Sequence, residues 1–336
     1  MSERKRDRRW YVIPALVAAW LLYPLVADNY WLDVANFFGI YALLGLSLNI
    51  IVGYVGLFNL GHAAFYAVGA YTTAILSTRF HVPILLLLPV SALLAAFVGY
   101  LVSRPILHLR GDYLCIVTIG FGEIVRIAPN NNPFGLTGGP NGLMGIARPV
   151  LFGFKIYQPL HYYFFIWVIV AIVVIALRRL ENSRIGRAWN YVREDELAAA
   201  SMGVDVNRMK LLAFMLGAGL AGVAGNIYAS KMTVIAPESF SFWESVVMFC
   251  IVVLGGPGSI PGIMVGALGM FVLPELFRGF VKARMLVFGL AMILMMIFRP
   301  AGLWPAQRYR EALKEDLAKD LPAGSGVEVP PGGGKG

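Results

Sequence analysis

Few side chains in this sequence could do chemistry, and their spacing argues against catalysis. The four histidines are scattered, and no HExxH, GxSxG or CxxC motif occurs. Neither a hydrolytic zinc site nor a serine nucleophile is therefore expected. Cys115 and Cys250 lie singly in apolar runs and read as packing residues. No GxxxxGK(S/T) loop is present to cradle a nucleotide; the closing GGGKG lacks both its spacing and its hydroxyl. The chain is expected to hold no metal and no cofactor, to have no catalytic residue, and to bind no nucleic acid.

The ionisable groups set in apolar surroundings are Asp112, Glu123, Arg126, Glu244 and Glu275. A charge at the centre of a membrane span costs about 3 kcal/mol on insertion scales, which makes such groups functional candidates. Glu123 and Arg126 are three residues apart and can pair on one helix face near a membrane boundary. Glu244 and Glu275 are expected at interfaces. Together they form no mid-membrane ion site, which disfavours an ion-coupled secondary carrier.

The elements that must position these residues are membrane helices. The 336 residues are 58% hydrophobic and only 14% charged, with a mean hydropathy of +0.70. Apolar runs of roughly 16–22 residues recur, the length that about 30 Å of hydrocarbon requires. The expected fold is an all-α, polytopic transmembrane bundle of about ten spans. These fall near 10–27, 34–52, 63–78, 83–102, 112–127, 160–177, 209–230, 241–255, 259–277 and 284–299. The first follows Arg4, Lys5, Arg6, Arg8 and Arg9 and reads as a signal anchor; cleavage after Ala27 is the alternative.

A basic N-terminus (1–9) placed in the cytoplasm puts most of the 28 Lys and Arg residues there too. Arg104, Arg110, the basic residues of 178–210 and those from Arg299 onward all fall on that side, as the positive-inside rule requires. Arg278, Lys282 and Arg284 do not. This reading gives a permease domain over 10–305, an outer loop over 128–159 and a disordered cytoplasmic tail over 306–336. Both termini are cytoplasmic, and a net charge of +9 becomes a topology signal.

Two stretches, GYVGLFNLGHAAFYAVGAY (53–71) and LGGPGSIPGIMVGALG (254–269), place a Gly-rich break before a small-residue helix. Broken helices of this kind mark transporters built from repeats; close packing through small residues is the other reading. Between the two halves lies SRIGRAWNYVREDELAAASMG (183–203). Ile185, Trp189 and Val192 recur at helical spacing, and a second short helix over Leu197–Met202 stops at Gly203. Such a segment can lie on anionic lipid. The acidic run Glu194-Asp195-Glu196 and the flat Ala-Ala surface favour a protein partner instead.

Several motifs, in order over about 35–305, resemble the permease subunits of branched-chain amino acid ABC importers, the LivM-like half. They are residues 53–71, GDYLCIVTIGFGEIVR (111–126), TGGPNGL (137–143), residues 183–214, VVLGGPGSIPGIMVGA (252–267) and FRPAGLWP (298–305). The resemblance implies a subunit of a bacterial inner-membrane importer. Its partners are a second homologous permease, two ATP-binding subunits and an extracytoplasmic solute-binding protein. The transported solute is leucine, isoleucine or valine; related permeases serve other small polar solutes.

The 183–204 segment is similar to the family's ATPase-docking EAA loop. Ala198, Ala199 and Gly203 match its small residues, while the loop's Glu falls on Leu197. Arg187, Arg193, Glu194, Asp195 and Glu196 are the charged members of this coupling set. Asn59, Gly61, His62, Thr118, Gly256, Pro257 and Gly258 are expected near the translocation pathway. Thr137, Gly138, Gly139 and Asn141 are the candidates in the outer loop.

Overall fold

The computed structural model describes residues 23–24, 27–107, 109, 111–151, 154–276, 289, 293, 297–298 and 302–304. The expected spans near 10–27 and 284–299, the basic N-terminus and the tail lie almost wholly outside the described residues. Elsewhere the apolar runs are helical, because in hydrocarbon every backbone group must find its partner within the chain. The helices are α1 (Asn29–Asn49), α2 (Ala63–Phe80), α3 (Ile84–Ile106), α4 (Asp112–Ile127) and α5 (Pro159–Glu181). They continue as α6 (Arg184–Glu194), α7 (Glu196–Ser201), α8 (Val206–Met232), α9 (Phe242–Gly255) and α10 (Ile260–Leu276).

Five stretches among the described residues are long and apolar enough to cross a membrane: Asn29–Tyr54, Ile84–Ile106, Pro159–Glu181, Val206–Met232 and Pro237–Gly255. The expectation of about ten spans therefore has only this partial counterpart. The reasons are local: α4 and α10 have only 16 and 17 described residues, and α2 carries Thr72, Thr73, Ser77, Thr78 and Arg79.

α8 packs against α1, α2 and α3. Its inward face is a run of small residues, Gly217, Ala218, Ala221, Gly222, Ala224 and Gly225, all buried. A Cβ on Gly69 of α2 would lie 2.3 Å from the Gly222 carbonyl oxygen, and one on Gly99 of α3 would lie 2.7 Å from the Ala218 Cβ. Lipid tails are as apolar as leucine, so helices here associate by close van der Waals contact, which small residues permit. Asn226 adds a hydrogen bond from its amide to Thr73 Oγ1 at 2.9 Å, joining α8 to α2 inside that contact.

The connections sort to two ends of the bundle. At one end, residues 55–58, Leu109, Gly111, Leu114, residues 192–197 and Lys210 border a common cavity. At the other, Lys231 Nζ pairs with Asp33 at 2.7 Å, Arg79 donates to the Gly135 carbonyl at 2.6 Å, and Ala147 N–H donates to Ser77. Residues 128–159, expected as a long loop, carry three short 3-10 turns and three two-residue strands at this second end. β1 (Leu143–Met144) pairs antiparallel with β4 (Val234–Ile235), and β2 (Val150–Leu151) with β3 (Phe154–Lys155). The loop is thereby tied to the chain that leaves α8.

Candidate functional site

The 183–203 segment folds as two helices because Asp195 interrupts it in an extended conformation. Ser183 caps α6 by accepting from Gly186 N–H at 3.2 Å. Asp195 caps α7, accepting from Leu197 N–H at 2.8 Å and Ala198 N–H at 3.1 Å. A side-chain oxygen at this position satisfies helix N–H groups that lack intrahelical partners. The chain then turns at Gly203, whose φ of 84° suits glycine at a helix C-terminal stop.

The acidic run divides into three roles. Glu194 is exposed, Asp195 is the cap, and Glu196 pairs with Lys210 Nζ of α8 at 2.5 Å. The Lys210 side chain is only 3% exposed, so this ion pair anchors α7 to the start of α8. Trp189 and Val192 are buried, Ile185 is half-buried, and the Trp189 indole N–H donates to the Met209 carbonyl at 2.8 Å. Ala199 faces inward, whereas Ala198 is exposed. Leu197 and Met202, 72% and 74% exposed, place apolar surface on the outward side of α7. Arg187 is also exposed and donates to the Asn182 carbonyl at 2.9 Å.

Beneath this segment α1 ends in a buried π-helical turn, Ile50–Tyr54, and the backbone then leaves helical geometry until α2. Tyr54 stacks on Trp189 with ring centroids 6.3 Å apart, and the Arg193 guanidinium donates to the Gly53 carbonyl. The second break, Gly256-Pro257-Gly258, meets the same part of α1: Gly258 N–H donates to Asn49 Oδ1 at 2.8 Å. Gly256 and Gly258 have φ of 109° and 86°, which glycine adopts without strain.

The first break carries a buried polar cluster. Gly61 N–H donates to Asn59 Oδ1 at 3.0 Å, and Leu60 N–H to Thr118 Oγ1 of α4 at 3.3 Å. Ser47 Oγ donates to the Leu44 carbonyl and lies 2.7 Å from His62 Nε2. With the Ser47 proton committed, the network assigns the hydrogen to His62 Nε2, leaving Nδ1 to face the Asn59 amide at 3.5 Å. A Cβ on Gly61 would lie 1.9 Å from the Thr118 carbonyl oxygen, so only glycine allows this crossing.

Asn59, Gly61, His62 and Thr118 thus form one cluster, and Gly256–Gly258 a second. Both rest on α1, through Ser47 and Asn49. Sequence reasoning did not single out Ser47, Asn49 or Lys210; their only signal was small or polar character within or beside an apolar run. Glu244 is half-buried and accepts the Tyr41 hydroxyl proton at 2.7 Å.

The remaining candidates lie elsewhere. Arg126 Nη2 is 2.7 Å from Glu123 Oε2 in a half-buried pair near the end of α4. In the 128–159 loop, Thr137 is buried and donates to the Pro129 carbonyl at 2.8 Å. Gly138 N–H donates to Asn132 Oδ1 at 3.0 Å. Gly139 and Asn141 bound a 3-10 turn, the first buried and the second exposed. Among the described residues no cluster of histidine, cysteine or carboxylate side chains is placed to hold a metal.

Spanning helices, two glycine breaks seated on one helix and a charged segment packed beneath them define an all-α, multi-pass membrane permease. The family described as the permease component of the branched-chain amino acid transport system matches residues 30–297, and the chain belongs to it. The high-affinity branched-chain amino acid transport system permease protein LivM of Escherichia coli (strain K12) is 40% identical over 335 residues, covering 93% of this chain and 78% of that protein. A probable LivM of Methanocaldococcus jannaschii is 25% identical, covering 80% of this chain and 91% of that protein. The LivH permease protein of Salmonella typhimurium is 26% identical over 288 residues, covering 78% and 90% respectively. No solved structure matches the chain.

Proposed function

We propose that this chain is the membrane-spanning subunit of an ATP-driven importer that carries leucine, isoleucine or valine into a bacterial cell. About ten spans cross the inner membrane, with both termini and the α6–α7 segment in the cytoplasm and the 128–159 loop outside. A second, homologous permease completes the pathway, two ATP-binding subunits dock on α6–α7, and an extracytoplasmic binding protein delivers the solute to the outer face. ATP-driven closure of the docked subunits shifts α6–α7, and the two glycine breaks re-orient around the pathway by alternating access.

The observation that carries this reading is the seating of α6–α7. The segment presents Leu197 and Met202 outward while Arg193 and Trp189 hold the end of α1 and the start of α8. It lies at the end of the bundle opposite the 128–159 loop. The positive-inside pattern supports its orientation, and the family membership supports the solute.

Uptake of labelled leucine into proteoliposomes tests the proposal, using both permeases, the ATP-binding subunits and the binding protein. Import is expected only when ATP and the binding protein are both present. Import of another small polar solute in preference to leucine overturns the substrate. Sodium- or proton-driven flux by this chain alone overturns the mechanism.

A further inference from the structure

Gly53 sits where three pieces of the molecule meet. Its carbonyl accepts from the Arg193 guanidinium of α6. On its other side, a Cβ at this position would lie 2.5 Å from Gly258 N and 2.0 Å from Asn49 Oδ1, the two partners that join the second break to α1. Through the π-turn, Gly53 also leads directly into the first break, where Leu57 N–H donates back to the Ile51 carbonyl at 3.1 Å. The carbonyls at a helix C-terminus lack intrahelical partners and carry the negative end of the helix dipole. A guanidinium is the side chain best suited to hold such a carbonyl, because it brings a fixed fork of donors and a permanent charge. The Arg193 stem lies across Gly56, with Cγ 3.0 Å from where a Cβ would stand there. Below it, Tyr54 stacks on Trp189.

We infer that Arg193 is a positioning residue that links the coupling segment to both pathway breaks through the Gly53 carbonyl. This rests on the importer reading above. The other grips of the segment, Glu196 on Lys210 and Trp189 on Met209, reach α8. The Arg193 hydrogen bond and the Tyr54–Trp189 stack reach the end of α1 instead. Loss of the guanidinium therefore removes this charged grip on the Gly53 carbonyl and leaves α7 anchored to α8. Force from the ATP-binding subunits still moves the segment, but the breaks follow it less faithfully.

The test is the number of ATP molecules hydrolysed per leucine imported by the complete reconstituted complex. Arg193→Gln is expected to raise that ratio by about ten-fold, the effect of losing one charge-assisted hydrogen bond. Arg193→Lys, which keeps a charged donor but loses the planar fork, is expected to recover part of the loss. Arg104→Gln, at an exposed position in the last turn of α3 and outside the docking segment, serves as the control and is expected to leave the ratio as in the wild type. An unchanged ratio in Arg193→Gln overturns the inference while the importer reading stands. Loss of the ATP-binding subunits from both Arg193 variants also overturns it, since Arg193 then belongs to the docking contact. Failure of the wild-type complex to couple ATP to import removes the reading itself.

Discussion

Asn49 Oδ1 accepts the backbone N–H of Gly258 at 2.8 Å across 209 residues of sequence. This one hydrogen bond seats the second glycine break on the first long helix, with both partners buried. Removing the acceptor leaves a buried N–H unsatisfied, which costs about 1–3 kcal/mol. Asn49→Ala is therefore expected to lower the melting temperature in detergent by roughly 2–8 °C. A melting curve that superimposes on the wild type would show that water or a shifted loop replaces the bond.

Glu196 and Lys210 are not equivalent partners, because the Lys210 side chain is 3% exposed and that of Glu196 is 31% exposed. Deleting Glu196 strands a charge in the protein, whereas Lys210→Met removes that charge and keeps the stem volume. Glu196→Ala is expected to destabilise by about 1–3 kcal/mol and Lys210→Met by less. Limited proteolysis within 194–203 measures the order, and the reverse order refutes it.

α7 has two faces with different consequences. Leu197→Glu or Met202→Glu puts charge on the outward surface and is expected to reduce co-purified ATP-binding subunits by about ten-fold or more. Insertion and melting temperature are expected to stay as in the wild type. Ala199→Phe acts inward and is expected to destabilise the chain by about 1–3 kcal/mol through overpacking. Equal loss of partner and of stability in all three variants would contradict this division.

Thr118 is buried against the first break in the state described here. In a background with Cys115 and Cys250 replaced by serine, Thr118→Cys is expected to resist a small thiol reagent at rest. It is expected to react at least about ten-fold faster during ATP turnover, when the breaks re-orient. Reaction rates that do not depend on nucleotide would place Thr118 outside the moving part.

Much of this architecture was legible in the linear sequence. The boundaries of α4, expected near 112–127, and of α9 and α10 follow from the lengths of apolar runs, because lipid leaves the backbone no stable alternative to helix. The Gly-rich stretches over 53–61 and 254–258 marked candidate breaks, but α8 stays helical through Gly217, Gly222 and Gly225, so the choice between a break and close packing was left to the tertiary structure. The charged, amphipathic character of 183–203 was equally plain from Trp189, Val192 and their flanking arginines.

Partnerships between distant residues were decided only by the tertiary structure. Nothing in the sequence tells that Asp195 caps its own helix while the adjacent Glu196 reaches Lys210, or that Ala199 faces inward and Leu197 outward. Those outcomes depend on where α6 and α7 dock on α1 and α8, which is a matter of shape. Local physical chemistry specifies which segments become helices. The joining of Arg193 to Gly53 and of Asn49 to Gly258 depends on helices packing closely enough for a side chain to satisfy an orphaned backbone group.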